Sequence, residues 1–440
     1  MARDLKLGDI QEADVGDLAH DGRGIARVDG KAVFIEGALP GERVKFRVFK
    51  RRRQWDEAGL VEVLTASPDR VRPKCAHFGV CGGCSLQHLA PAAQLAAKER
   101  QLLDNLERIG RGRPQRVLAP LEGPVWAYRR RARLGVKYVH KKGRVLAGFR
   151  EREKPYIADI RRCEVLLERF ATLPEELAAL VETLSLRGNL PQAELAAGDS
   201  GAALVFRVME APSPEDLVKL EEFGARHDVQ IFLQSGGLDT IKALRAGYPA
   251  LSYTLDAERL TLEFGPVDFF QVNRDINVSM VAAAVDLLEP TPADTVLDLF
   301  CGLGNFTLPL STRAGAVTGV EGDAALVAKA RANAALNGIS NVDFQADNLF
   351  EPSGFGPWAQ KTYDLVLLDP PRAGASEIME RMAQWRPRRL VYISCHPGSL
   401  ARDAGILVET QGYTLRGAGV MDMFPHTTHV ESVAVFERVA

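Results

Sequence analysis

A cysteine that closes an apolar strand is the first group in this chain with the makings of a nucleophile. Arg389-Leu-Val-Tyr-Ile-Ser394-Cys395-His396-Pro397 reads as a buried strand stopped by a proline, which leaves Cys395 at the strand's carboxyl end. In doubly wound sheets that edge is where ligands bind. A thiol there is inert unless something favours its thiolate, because an unperturbed cysteine behaves as a small hydrophobe. Two partners stand near the C-terminus, in Asp422-Met-Phe-Pro425-His-Thr-Thr-His429-Val-Glu431-Ser, a loop before a last predicted strand. Glu431 offers a carboxylate base, and His429 is its rival because an unperturbed imidazole titrates closest to neutral pH. A thiol and a separate base together describe a covalent addition followed by a proton removal.

A second set of residues is built for a nucleotide-like ligand. Thr295-Val-Leu-Asp298-Leu-Phe300-Cys301-Gly302-Leu-Gly304-Asn305 is a buried strand running into a glycine turn and a helix. Such glycines let the backbone approach a ligand, and the helix start favours polar or anionic groups. Val317-Thr-Gly-Val320-Glu321 is the next strand, and its terminal acid can bind two ribose hydroxyls. Ala346-Asp347-Asn348 ends another predicted strand, where a side chain can reach an adenine edge. Asp364-Leu-Val-Leu-Leu-Asp369-Pro370-Pro371-Arg372 ends in a stiff segment that holds a carboxylate in one geometry. Phe306 and Thr307 follow Asn305 where a dinucleotide fingerprint needs its third glycine, which weighs against a dehydrogenase. The four segments resemble the S-adenosylmethionine-binding, Rossmann-like methyltransferases over residues 293–400.

These residues need a scaffold, and the chain is long enough for several. Its 440 residues suggest two or three domains, and 46% apolar with 25% charged residues describes a folded chain rather than a disordered one. From Phe269 onward strands alternate with helices, the pattern of a parallel α/β sheet. Residues 1–66 read as a small β domain with strands around Ala32–Ile35, Arg43–Val48 and Gly59–Leu64. Period-two spacing puts Arg43, Lys45 and Arg47 on one face and Val44, Phe46 and Val48 on the other. Lys50, Arg51, Arg52, Arg53 and Trp55 follow, so the barrel looks like an oligonucleotide-binding module. Residues 91–109 suggest an amphipathic helix, and 166–264 mix helix and strand without a readable chemical motif. No run of about 18 apolar residues spans a bilayer. The charged start MARDLKLGDI lacks a signal peptide's apolar stretch, so the expectation is a cytoplasmic protein with no membrane partner.

The net charge of −2 conceals an uneven distribution. Between Trp126 and Arg162 there are 13 Lys/Arg and 3 Asp/Glu, hence 13 − 3 = +10 there and −12 elsewhere. A basic stretch of this kind is the footprint of a polyanion, or else a solvated surface. Cys75, Cys81, Cys84 and Cys163 are spaced Cys-x5-Cys-x2-Cys with a distant fourth; four thiolates suit zinc or an iron–sulfur cluster, and a single Cys-x2-Cys pair is less than paired zinc knuckles need. Cys301, beside Gly302, reads as a packing residue.

Taken together, Phe269-Phe270-Gln271-Val-Asn273, the Asp298–Asn305 loop, Asp369-Pro-Pro-Arg372, Ser394-Cys395-His396-Pro397 and the Glu431 segment resemble the RNA 5-methyluridine methyltransferase family over most of the chain. The resemblance implies Gln271, Phe300, Asn305, Glu321, Asn348 and Asp369 around S-adenosylmethionine, Cys395 as nucleophile and Glu431 as acceptor of the C5 proton. Many members carry Asn where this chain has His396, a change not expected to alter the reaction. The cysteine spacing resembles the 4Fe–4S site of the bacterial 23S rRNA members, with Cys75, Cys81, Cys84 and Cys163 as ligands. Those members also carry an N-terminal TRAM barrel, and the resemblance implies that tRNA-directed relatives lack both features. The expected architecture is therefore α/β: a TRAM domain of OB-like barrel type at 1–66, a central α+β iron–sulfur domain at 67–90 and 120–265, and a Rossmann-like methyltransferase domain at 91–119 and 266–440. The expected substrate is a uridine of 23S rRNA, position 1939, flipped from its stack against Phe269 or Phe270, with the protein acting as a monomer. A different rRNA or tRNA uridine is the alternative within this class, and a non-catalytic RNA-binding assembly factor the alternative outside it.

Overall fold

The computed structural model describes residues 8–439, so the first seven residues of the charged opening lie outside the described residues. The chain divides into two compact units. The first takes the described residues up to Gln101 with Arg150–Tyr156 and Phe424–Thr428; the second takes Leu102–Phe149, Ile157–Met423 and the residues from His429. Among the described residues no helix is long and apolar enough to cross a membrane.

The first unit is built on a closed barrel of β1 (Ile10–Leu18), β2 (Gly24–Val28), β3 (Lys31–Glu36), β4 (Arg43–Arg51) and β5 (Trp55–Thr65), ordered β1-β2-β3-β5-β4. Val15, Ala26, Val33, Ile35, Val44, Phe46 and Val48 fill it. The period of two in β4 works as expected: Val44, Phe46 and Val48 are buried while Arg43 and Arg47 are exposed and Lys45 half-buried. The cation row is only partly bare. Arg43 pairs with Glu12 at 3.4 Å, Lys45 with Glu62 at 2.9 Å and Lys50 with Glu57 at 3.0 Å, because the antiparallel neighbours bring acids opposite. Arg47, Arg51, Arg52 and Arg53 make no ion pair among the described residues, and Arg52 lies 5.8 Å over the Trp55 ring. The cysteine-bearing segment is irregular. Arg70 ties it to the barrel through the buried Glu42 at 2.5 and 2.8 Å.

The second unit holds two sheets. After β6 (Arg116–Val117), strands β7 (Arg131–Val139), β8 (Arg144–Gly148), β9 (Gln192–Ala197), β10 (Ala202–Arg207), β11 (Gln230–Gln234) and β12 (Ile241–Ala243) form one sheet in the order β12-β11-β10-β9-β7-β8. Much of the basic stretch is thus a hairpin, and it is less exposed as charge than its composition implies. Arg131 and Arg133 share Glu194, Lys142 and Arg144 share Asp159, Arg130 meets Asp199, and Arg162 meets Glu164 and Glu168. Where two cations share one acid a positive excess survives, which is what a phosphate-facing surface retains.

A hairpin of β13 (Leu251–Leu255) and β14 (Leu260–Phe264) precedes the eight-stranded sheet. That sheet contains β15 (Thr295–Leu299), β16 (Ala316–Glu321), β17 (Val342–Ala346), β18 (Leu365–Leu368), β19 (Arg389–Ser394), β20 (Tyr413–Met421) and β21 (Glu431–Arg438), in the order β17-β16-β15-β18-β19-β21-β20-β6. β17 to β19 are parallel, and β21 runs antiparallel between β19 and β20. Strand order reverses beside β15, so loops after β15 and β18 part and open a crevice at the carboxyl edge. The apolar runs are buried on both faces: Leu365–Leu368 and Leu390–Ile393 are fully enclosed.

Candidate active site

The turn after β15 is tightly bent. Phe300, Gly302 and Gly304 all have left-handed backbones, with φ of 64°, 54° and 92°. For a residue with a bulky side chain this costs about 1 kcal/mol or more, so Phe300 is held there by its surroundings. Its ring meets Phe350 at 5.7 Å between centroids, and Phe350 is exposed. Glu321 sits at the end of the neighbouring β16, and its carboxylate accepts Gly302 N–H at 3.1 Å, Gly322 N–H at 2.7 Å and Asp323 N–H at 3.2 Å. Asn305 is locked by a reciprocal amide pair with Asn277 (3.0 and 3.1 Å) and by the Tyr253 hydroxyl at 3.0 Å. Gln271 is half-buried, with no side-chain hydrogen bond among the described residues. Asn348 is exposed and accepts Phe350 N–H at 3.2 Å, whereas its neighbour Asp347 is taken up by Gly356 N–H and the Trp358 indole.

The two phenylalanines before Gln271 separate. Phe270 is buried against Phe264 at 4.3 Å and near Tyr253, so it belongs to the core; Phe269 is 63% exposed. Of the two, only Phe269 is available to a base. Sequence reading also passed over Asp298, Asn277, Tyr253 and Phe350. Asp298 had left a signal, an acid inside the apolar strand of β15. It is fully buried, its Oδ2 accepts the Thr307 hydroxyl at 2.5 Å, and its Oδ1 has no partner. Burial pushes it up to about 8 against the Thr307 hydrogen bond, with Asp369 and Glu321 adding to the rise. A protonated carboxyl or a cationic ligand group resolves that isolation.

The catalytic candidates converge through strand register. β19 and β21 are antiparallel with Ser394 opposite Ser432. One residue further toward the edge, that register sets Cys395 opposite Glu431. Glu431 is buried at 4% exposure; Cys395 is half-buried, two residues ahead of the helix Pro397–Thr410, whose N-terminus favours a thiolate. His396 caps that helix, its Nδ1 accepting Ser399 N–H at 3.1 Å. Asn is a preferred residue for this task, and the imidazole nitrogen does the same work here. Burial, helped by Glu431 and Asp369 and opposed by Arg372, lifts the Cys395 thiol to about 11. Burial likewise lifts Glu431 to about 8, helped by Asp369 and opposed by Arg372, and lifts Asp369 to about 7. Burial thus favours the neutral forms of all three groups. His429 is exposed, and its Nδ1 lies 2.6 Å from Arg372 Nη2.

The segment carrying Asp369 is pinned from behind. Asp403, fully buried, accepts Ala375 N–H at 2.7 Å and the Tyr392 hydroxyl at 2.6 Å, and Arg402 binds the Ala373 carbonyl at 2.9 Å.

Three of the expected metal ligands lie in the first unit. Cys75 Sγ accepts His77 N–H and Cys81 Sγ accepts Gly83 N–H, both at 3.4 Å, an arrangement suited to thiolate ligands. Cys84 is half-buried, and Cys163, in the second unit, is buried. Among the described residues no group of three or more His, Cys, Asp or Glu is arranged to hold a metal ion.

Comparison with known proteins places the chain in a family. Residues 4–61 match the TRAM domain, and residues 93–348 and 358–439 match the family described as tRNA (Uracil-5-)-methyltransferase. The 23S rRNA (uracil(1939)-C(5))-methyltransferase RlmD of Methylococcus capsulatus is 52% identical over 430 residues, 97% of this chain and 96% of that protein. Its namesake from Stenotrophomonas maltophilia is 50% identical over 97% of both. The structure of Pyrococcus abyssi tRNA (uracil-54, C5)-methyltransferase in complex with S-adenosyl-L-homocysteine superposes with a TM-score of 0.76 at 24% identity, covering 97% of this chain and 100% of its own. Coverage so complete takes in the N-terminal barrel, which corrects the expectation that tRNA-directed relatives lack it. The barrel therefore does not by itself separate the two substrate classes. With a family match over most of its length and relatives half identical to it, the chain belongs to the RNA uracil-C5-methyltransferase family.

Proposed function

We propose that this enzyme methylates C5 of a uridine in 23S rRNA, at position 1939, through a covalent adduct on Cys395. The observation that carries the mechanism is the pairing of Ser394 with Ser432, the neighbours of Cys395 and Glu431, together with the charge interaction between Glu431 and the Cys395 thiol. Full-length identity of 50–52% to enzymes named for that uridine supports the substrate.

C5 of uracil is too weak a carbon nucleophile to take a methyl group unaided. Addition of the Cys395 thiolate at C6 moves the C5–C6 electron pair toward O4 as an enolate and makes C5 nucleophilic. S-adenosylmethionine supplies the electrophilic methyl carbon when bound. Gln271, Phe300, Asn305, Glu321, Asn348 and Asp369 are the proposed pocket for it, with Asp298 as an added member whose unpartnered Oδ1 suits a cationic group. Glu431 then takes the C5 proton, the C5–C6 double bond re-forms, and the thiolate leaves. Phe269 is the proposed stacking surface for the flipped base. A carboxylate with a raised pKa is a stronger base than an exposed one, which suits Glu431 better than His429, whose Nδ1 already faces Arg372.

The barrel and the hairpin of β7 and β8 are the proposed grip on phosphates. Cys75, Cys81, Cys84 and Cys163 are the proposed ligands of a 4Fe–4S cluster, supported by their spacing and by the N–H···S bonds; no step of methyl transfer runs through them. Absorbance near 400 nm with iron in the purified protein is the expected result, and a colourless protein with stoichiometric zinc excludes the cluster. Tritium release from 5-tritiated uridine tests the function. Release from 23S rRNA fragments containing the target, and not from tRNA transcripts, is expected. Release from tRNA alone moves the substrate, and none from any RNA removes the enzyme reading.

A further inference from the structure

His429 stands close to the catalytic groups without a role in the chemistry above. Its Nδ1 lies 2.6 Å from Arg372 Nη2. A guanidinium has only N–H donors, so Nδ1 must accept, and the imidazole must be neutral with its proton on Nε2. Arg372 makes no ion pair among the described residues, although Asp369, Glu431 and Cys395 share its surroundings. Its charge is thus left unneutralised toward the thiol and the carboxyl, while its anchor is an uncharged acceptor. A carboxylate in that position would cancel the field that the site uses.

We propose that His429 is a positioning residue, a neutral acceptor that holds Arg372 so that its charge favours the Cys395 thiolate and the Glu431 carboxylate. The inference rests on the proposed roles of those two residues. Arg372 ends the stiff Asp369-Pro370-Pro371 segment, so its backbone is set by β18 and only its side chain needs an anchor. Protonation of His429 removes the acceptor and sets two cations against each other. Cys395 after β19 and Glu431 on β21 both feel the Arg372 charge, and Asp369 after β18 acts on the same two groups.

The test compares His429→Asn, whose Oδ1 takes the place of Nδ1 and does not titrate, with His429→Leu, which offers no acceptor. Iodoacetamide labelling of Cys395 is followed from pH 5.5 to 9 by mass spectrometry of the peptide that contains it, on the full-length protein without RNA. His429→Leu is expected to label about tenfold more slowly at neutral pH, a loss matched by Arg372→Gln and not deepened in the double variant. His429→Asn is expected to label within about threefold of the parent at pH 8 and to outpace it at pH 5.5, since the acids are common to both proteins and only the imidazole differs. Labelling of His429→Leu at the parental rate across the range overturns the proposal, as does an Asn variant that behaves like Leu. Should His429→Leu fail to fold, the pH dependence of His429→Asn decides alone. Cys395→Ala assayed in parallel separates the two ideas: normal methylation by that variant removes the nucleophile itself, whatever His429 does.

Discussion

At the residue scale the site is a collection of acids and a thiol kept protonated by burial. Cys395 near 11, Glu431 near 8 and Asp369 near 7 are all raised by the same enclosure. This has a consequence for stability that activity assays do not see. Glu431 has an ordinary pKa of 4.5 and a folded-state value of about 8, so the folded protein holds this proton more tightly than the unfolded chain. Its contribution to folding is complete below about 4.5 and is lost as pH rises through about 8. Glu431→Gln, which cannot ionise, is expected to melt above the parent at pH 9 and level with it near pH 5, as thermal scans at both pH values will show. Cys395 stood out in the sequence as a thiol closing an apolar strand and Glu431 as an acid beside the last strand, where the structure makes it the first residue of β21, while their roles came from the resemblance. Asp298 was legible only as an anomaly, an acid among leucines and valines. Asn277 and Tyr253 left no signal, since their work is to lock Asn305 from elements distant in sequence.

Elements make these residues meet. Two neighbouring strands of opposite direction pair Ser394 with Ser432 and so bring their neighbours Cys395 and Glu431 together, although these are 36 positions apart (431 − 395). The parallel sheet could be read from strand–helix alternation, because doubly buried strands are apolar throughout. Insertion of β21 between β19 and β20 could not, since periodicity carries no strand order. Nor could the fate of Phe269 and Phe270, adjacent and chemically identical, of which the pleat and the neighbouring Phe264 choose one for the core. The turn after Asp369-Pro-Pro-Arg372 is equally dependent on what lies behind it. Gly374 has φ of 80°, and a Cβ there would stand 2.6 Å from Arg402 Nη2 and 2.7 Å from Asp403 Oδ2. Gly374→Ala is therefore expected to destabilise the protein by roughly 2 kcal/mol or more in urea unfolding, and to lower the methylation rate by displacing Asp369 and Arg372.

On the scale of the whole molecule, the proposed grip on a polyanion by a chain of net charge −2 requires a local excess of cations. Composition located that excess in the basic stretch, but the hairpin's cations spend part of it on Glu194 of β9 and on Asp159 after β8. The run Arg51, Arg52 and Arg53 at the end of β4, which makes no ion pair among the described residues, is the better candidate for phosphate contact. Replacing all three by Gln is expected to flatten the slope of log affinity against log salt by about 2 for a single-stranded RNA, with no change in melting temperature because these side chains are exposed. An unchanged slope would move the phosphate contacts elsewhere.

The central claim is that one thiol and one carboxylate divide the reaction at C5 and C6, and trapping the intermediate tests it most directly. Glu431→Gln incubated with a 23S rRNA fragment and S-adenosylmethionine should accumulate an RNA–protein adduct that survives denaturing electrophoresis. Digestion should place the RNA, already carrying the methyl group, on the peptide containing Cys395. A Glu431→Gln enzyme that turns over at the parental rate without an adduct, or an adduct on any other residue, would contradict the account.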